Sequence, residues 1–122
     1  MRTRKLGSQG LEVPAIGLGC MGMTIQYGEL DDEESKATIN HSLDIGGSLL
    51  NSSDAYGKGK NESLIGEAIK GRRNDVILNT KFGNVTNPDG TGGTNGRPEY
   101  VKEACEASLQ RLGTDYIDIY SQ

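Results

Sequence analysis

Ser48-Leu49-Leu50-Asn51-Ser52-Ser53 and Val76-Ile77-Leu78-Asn79-Thr80-Lys81 decide the fold. Each is a short apolar run that passes into polar residues, and each is followed within a few positions by glycine, at Gly57 and Gly83. Such runs read as buried strands. The segment between them has helical spacing. Leu64, Ile65, Ala68 and Ile69 share one face, Asn61 is placed to cap the start, and Gly71 stops the helix. The unit is therefore strand, helix, strand, which implies parallel strands joined by a right-handed crossover.

The same unit recurs on both sides. Ala15 to Cys20 reads as an earlier strand, followed by a helix that opens on Asp31-Asp32-Glu33-Glu34 and stops at Gly46-Gly47. An acidic opening suits the positive end of a helix dipole, so this cluster is a solvated helix start, not a metal site. After Lys81 comes the Gly-rich segment Phe82 to Arg97, too long for an ordinary strand-to-helix loop. Its composition fits a binding loop and a mobile one equally. Pro98 then opens the clearest helix, in which Val101, Ala104, Cys105, Ser108, Leu109 and Leu112 form one stripe closed by Gly113. Cys105 on that stripe reads as core packing. Tyr116 to Ser121 is the last strand, and Thr3 to Val13 reads as a leading hairpin around Gly7-Ser8-Gln9-Gly10. Strand starts at 15, 48, 76 and 116 follow a βα rhythm, giving four parallel strands and three helices in one unit, residues 1–122.

Composition narrows the function. The net charge is −4, and Lys and Arg are scattered, so nucleic acid is not expected as a partner. The longest wholly apolar run, Ala15 to Met23, has nine residues, three of them glycine, too short to cross a membrane. Arg2, Arg4 and Lys5 are not followed by an apolar leader core, and the two cysteines show no metal or disulfide spacing. A cytoplasmic protein with reduced thiols and no metal is the expectation. The single histidine, His41, falls within a helix and reads as structural.

Gly17-x-Gly19-x-x-Gly22 matches the dinucleotide-binding fingerprint by letter. Its mechanism needs a helix opening at the glycines and an acid at the next strand end. Met23 to Leu30 does not read as a helix, and Asp44 lies on a helix, so the match fails on context. Strand ends are more informative, because parallel βα folds gather functional side chains there. Tyr56 and Lys81 emerge after adjacent strands. A phenol titrates near 10, and a neighbouring ammonium favours the phenolate, so the pair suits proton donation to a carbonyl oxygen under reduction. The alternative is a solvated strand-end Lys and an ordinary loop Tyr, and spacing alone does not separate the two.

Several stretches resemble the aldo-keto reductase family, in its auxin-induced and perakine-reductase-like branch. They are Arg4 to Val13, Gly17-Leu18-Gly19-Cys20-Met21-Gly22, Asp54-Ala55-Tyr56-Gly57, Thr80-Lys81-Phe82-Gly83, Pro98-Glu99-Tyr100-Val101, Glu106-Ala107-Ser108-Leu109 and Tyr116-Ile117-Asp118-Ile119-Tyr120. The resemblance runs over essentially the whole chain, with the motifs in the family's order. It implies a (β/α)8 TIM barrel led by a hairpin, of which these residues are the N-terminal half. It also implies NADPH-dependent reduction of aldehydes or ketones, with a small-molecule carbonyl as substrate. Tyr56 matches the general acid of the family's Asp-Tyr-Lys-His tetrad, and Lys81 matches the Lys that tunes it. Cys20, Met21 and Gly22 match positions near the nicotinamide.

Two departures follow. The tetrad Asp position, five residues before the Tyr, is occupied by Asn51. Asp54 matches a different family position. Asn51 can hydrogen-bond to Lys81 but brings no negative charge. The sequence stops at Tyr120-Ser121-Gln122, one residue short of the family's tetrad His. A barrel of this type takes about 250 residues, so the reading expects a truncated chain with little or no turnover by itself. The other reading is a non-catalytic half barrel that binds a partner or self-associates through unpaired strand edges.

Overall fold

The computed structural model describes residues 1–25 and 28–122. Strands β1 (Thr3–Leu6) and β2 (Leu11–Pro14) form the leading antiparallel hairpin. The main sheet contains β3 (Leu18–Gly19), β4 (Leu49–Asn51), β5 (Ile77–Lys81) and a fourth strand, Ile119–Ser121, all parallel and neighbouring in chain order. Helices α1 (Asp32–Asp44), α2 (Lys60–Ala68) and α3 (Pro98–Leu112) provide the three crossovers. This is the half-barrel topology expected from the sequence, with three helices and four parallel strands. The strands are shorter than the apolar runs, because only part of each run finds ladder partners.

The long segment after β5 contains a feature the sequence did not reveal. It forms a second hairpin, β6 (Asn84–Thr86) with β7 (Gly92–Thr94), so Ile119–Ser121 is β8. Asp89 Oδ1 accepts from the Thr91 backbone N–H at 3.0 Å and from its hydroxyl at 2.6 Å, which fixes the turn. Both bonds favour the ionised carboxylate and hold Asp89 below its ordinary range. The reading of a loop is corrected here: Gly, Thr and Asn carry no apolar alternation, so two short strands left no periodic signal.

Helix ends follow their local chemistry with one exception. Asp31 caps α1, accepting from the N–H groups of Glu33 and Glu34 at 2.9 and 3.0 Å. Gly113 ends α3 at φ 64°, in the left-handed region where glycine carries no Cβ penalty. Asn61 is not the cap of α2. Gly59 takes that position, at φ 87°.

Along β4 and β5 alternate side chains face opposite ways. Leu50, Leu78 and Thr80 point to the helices and are fully buried. With Ile39, Leu43, Ile65, Ile69, Val76 and Leu112 the two leucines form the core between sheet and helices. Leu49, Asn51, Ile77, Asn79 and Lys81 face the other side and are only half-buried. On α3 the buried positions are Ala104, Ser108 and Leu112, and Cys105 is half-buried at the flank of the stripe.

Candidate active site

The site lies where β3, β4, β5 and β8 end. Backbone bonds tie those ends together: Cys20 N–H to Asn51 O at 2.9 Å, Ser52 N–H to Asn79 O at 2.9 Å, and Asp54 N–H to Lys81 O at 3.0 Å. After β4 the chain turns through a short 3-10 segment, Tyr56–Gly59. Gly57 and Gly59 have φ of 58° and 87°, and Lys58 between them has φ 53°. Among the described residues Lys58 is the one non-glycine with positive φ. A left-handed non-glycine residue costs about 1 kcal/mol, so strain is held directly after Tyr56.

This turn sets the Tyr56 ring beside Lys81, whose Nζ lies 4.8 Å from the ring centroid. Lys81 Nζ also donates to Asn51 Oδ1 at 2.8 Å and to the Ser52 carbonyl. Asn51 Nδ2 in turn donates to Asn79 Oδ1. The structure thus brings Lys81 against Tyr56 and Asn51, which lie on the preceding strand and its following turn. Among the described residues no carboxylate forms an ion pair with Lys81. Asp54 touches Lys81 through its backbone N–H alone, and burial, helped by the charge on Glu62, pushes the Asp54 carboxyl above its usual range.

Cys20, Met21 and Gly22 follow β3, the last two in a 3-10 turn over Met21–Met23. The Cys20 thiol faces the core and is fully buried, and burial is the main force raising its pKa to about 12. Its side chain is packing, and only its backbone serves the strand ends. The Gly17-Gly19-Gly22 pattern opens no α-helix. Of Met23 to Leu30, Gln26 and Tyr27 lie outside the described residues. Gly17 is instead a close-approach glycine: a Cβ there would sit 2.9 Å from the Leu49 side chain. His41 is exposed on α1, away from the core stripe.

Three residues framing the site were not assigned to it by the sequence. Asn61, fully buried, accepts from Ser52 Oγ at 2.7 Å and donates to the Cys20 carbonyl at 2.8 Å and to Thr24 Oγ1 at 2.9 Å. Glu62, also fully buried, accepts from Thr80 Oγ1 at 2.6 Å and from Arg111 Nε at 2.7 Å. Asn61 links the ends of β3 and β4, while Glu62 links β5 to α3. A signal for Asn61 did exist, since it stands four residues before Ile65 on the buried face of α2. The third, Asn79, stands two residues before Lys81 and shares its face.

The family model for the aldo/keto reductase family matches residues 15–122. The chain belongs to that family. It is 46% identical over 121 residues to the NADP(+) aldo-keto reductase yakc of Schizosaccharomyces pombe, covering 97% of this chain and 35% of that protein. Among solved structures it resembles the holo form of aldo-keto reductase AKR11C1 from Bacillus halodurans. The TM-score there is 0.82 at 40% identity, over 98% of this chain and 39% of the other. It also resembles an aldo/keto reductase from Klebsiella pneumoniae solved with NADP and acetate, with a TM-score of 0.69 at 30% identity, over 92% and 36% of the two chains. The sequence thus spans little more than a third of the length of these relatives. Among the described residues no helix is long and apolar enough to cross a membrane, and no three His, Cys, Asp or Glu side chains gather as a metal site.

Proposed function

We propose that residues 1–122 form one domain unit carrying the proton-donating half of an NADPH-dependent carbonyl reductase site, with Tyr56 as the general acid and Lys81 as its electrostatic partner. The observation that carries this reading is the Lys81 ammonium, held by Asn51 and the Ser52 carbonyl and set 4.8 Å from the Tyr56 ring. A phenolic O–H beside a fixed ammonium has the proton to give to a reduced carbonyl oxygen and a cation to offset the charge that develops there. The left-handed turn at Gly57-Lys58-Gly59 fixes the ring, and the Asn61 and Glu62 contacts fix the strand ends from the helix side.

NADPH, when bound, supplies the hydride. The residues present fit its reducing end. Gly19 is the register partner of Asn51, and a Cβ on Gly19 would meet nothing within 4 Å, so open space borders the polar row. A hollow of about 440 Å³ runs along this inner face, lined from Leu6 and Gly17 to Gly19, Asn51, Asn79 and Ser121, and neither Tyr56 nor Lys81 lines it. Met21 and Gly22 border this end of the sheet. We further propose the auxin-induced and perakine-reductase-like branch, on the opening motif and Asp54-Ala55-Tyr56-Gly57.

Asn51 lowers the expected efficiency, because it orients Lys81 without supplying a charge. With the sequence spanning 35% of the S. pombe relative, we expect no steady turnover from the 122 residues alone. Steady NADPH oxidation with a panel of aldehydes, well above a Tyr56→Phe control, contradicts that. The role of Lys81 is tested by joining residues 1–122 to the remaining part of the S. pombe relative. Lys81→Met should lower kcat of the graft about 100-fold, and an unchanged kcat removes Lys81 from the mechanism.

A second reading is favoured by the sheet itself. Among the described residues β3 and β8 each have one neighbour, leaving two parallel edges open. Self-association through these edges would give a dimer or larger species on dilute size exclusion, and a clean monomer counts against it.

A further inference from the structure

One row of the sheet carries two side-chain amides. Asn51 is the register partner of Asn79, and Asn79 is the register partner of Ile119. Each outer end of this pair meets a group with a single hydrogen-bonding role. Lys81 Nζ only donates, so the Asn51 atom 2.8 Å away must be Oδ1. The Ile119 carbonyl only accepts, so the Asn79 atom 3.0 Å away must be Nδ2. What is left in the middle is Asn51 Nδ2 facing Asn79 Oδ1, a donor against an acceptor. The chain of donors runs one way, from Lys81 through Asn51 and Asn79 to Ile119.

We propose that Asn79 is a positioning residue that holds the Asn51 carbonyl oxygen on Lys81 and makes position 51 selective for an amide over a carboxylate. A carboxylate at 51 would turn its second oxygen toward Asn79 Oδ1. Rotating the Asn79 amide to answer it would set Oδ1 against the Ile119 carbonyl. Either way two acceptors face each other in a half-buried row, and one loses its partner. Asn51 is therefore not an isolated departure from an acid but one member of a matched pair. The bearing on the Tyr56–Lys81 couple rests on the carbonyl-reductase reading above, whereas the amide pairing does not.

The experiment is urea unfolding of the 122-residue chain and three variants: Asn51→Asp, Asn79→Ala, and the two combined. Asn79→Ala alone should lower the midpoint, and Asn51→Asp sets a new ion pair with Lys81 against the lost amide pairing, so the two variants are compared through their coupling. In the Asn51→Asp background, however, Asn79→Ala should raise the midpoint, because it removes the opposing oxygen. A purely structural Asn79 lowers the midpoint equally in both backgrounds, and that result overturns the proposal. If Asn51→Asp does not fold, side-chain amide NMR of the parent chain decides. The Asn51 Nδ2 protons should exchange with solvent at least tenfold slower than those of exposed Asn74, and equal rates overturn the proposal. Loss of the Tyr56 role in turnover would leave this coupling untouched, and loss of the coupling would leave Tyr56 untouched, so the two failures are distinguishable.

Discussion

The two faces of one sheet treat charge in opposite ways. On the helix side a fully buried carboxylate, Glu62, has a guanidinium and a hydroxyl bound to it, from Arg111 and Thr80. On the inner side the Lys81 ammonium has only neutral partners, Asn51 and the Ser52 carbonyl. Thr80 and Lys81 are consecutive residues, so the period of two places a compensated charge behind the sheet and an uncompensated one in front of it. The helix side is built for stability. The inner side leaves a cation available to act on Tyr56.

The contrast is broken most severely by truncating apolar side chains on each face. Leu50→Ala removes a fully buried core side chain and should cost about 3 kcal/mol in denaturant unfolding. Leu49→Ala, one residue earlier and facing the inner hollow, should cost under about 1 kcal/mol. Equal losses would mean that the two faces are equally packed.

Next in size is the charge pair. Arg111→Ala strips the cation from the buried Glu62 carboxylate and should destabilise by about 3 kcal/mol. A loss under about 1 kcal/mol would place Glu62 in contact with water. A smaller effect of opposite sign belongs to Tyr120, whose ring stacks on Phe82 at 4.7 Å while its buried hydroxyl lacks a partner among the described residues. Tyr120→Phe should stabilise by about 1 kcal/mol.

The smallest effect concerns Asp54, whose folded pKa is raised mainly by burial. A raised carboxyl binds protons more readily when folded, so its ionisation opposes folding at neutral pH. That cost shrinks as pH falls through the folded pKa toward the unfolded value near 3.9. Asp54→Asn should therefore be slightly more stable than the parent at pH 7, with the difference vanishing near pH 4. A difference that grows toward acid would reverse the sign of the account.

Much of this was legible in the sequence, and the limits have physical causes. The βα rhythm, the α2 and α3 stripes and the leading hairpin were written in apolar spacing and in glycine and proline positions, and the start of α1 in its acidic residues. So was the convergence of Tyr56 and Lys81 on adjacent strand ends, because parallel topology brings strand ends together. The β6–β7 hairpin was hidden because Gly92, Gly93 and Thr94 carry no apolar alternation. Asn61 was misread because asparagine before a helix is usually a cap, whereas here the helix begins one residue earlier and the amide reaches inward to Ser52 and Cys20. Asn79 was passed over because its partner depends on sheet register, which the sequence does not state. Cys20 matches a position near the nicotinamide, and the direction of its thiol, into the core, is set by the pleat and not by the motif.

The account stands most directly on proton donation by Tyr56. Residues 1–122 joined to the remaining part of the S. pombe relative, assayed for NADPH-dependent aldehyde reduction with and without Tyr56→Phe, measure it. The account predicts slow but real reduction by the graft, and a loss of about 100-fold or more in kcat on removing the phenolic hydroxyl. Reduction that proceeds equally well in Tyr56→Phe would contradict it.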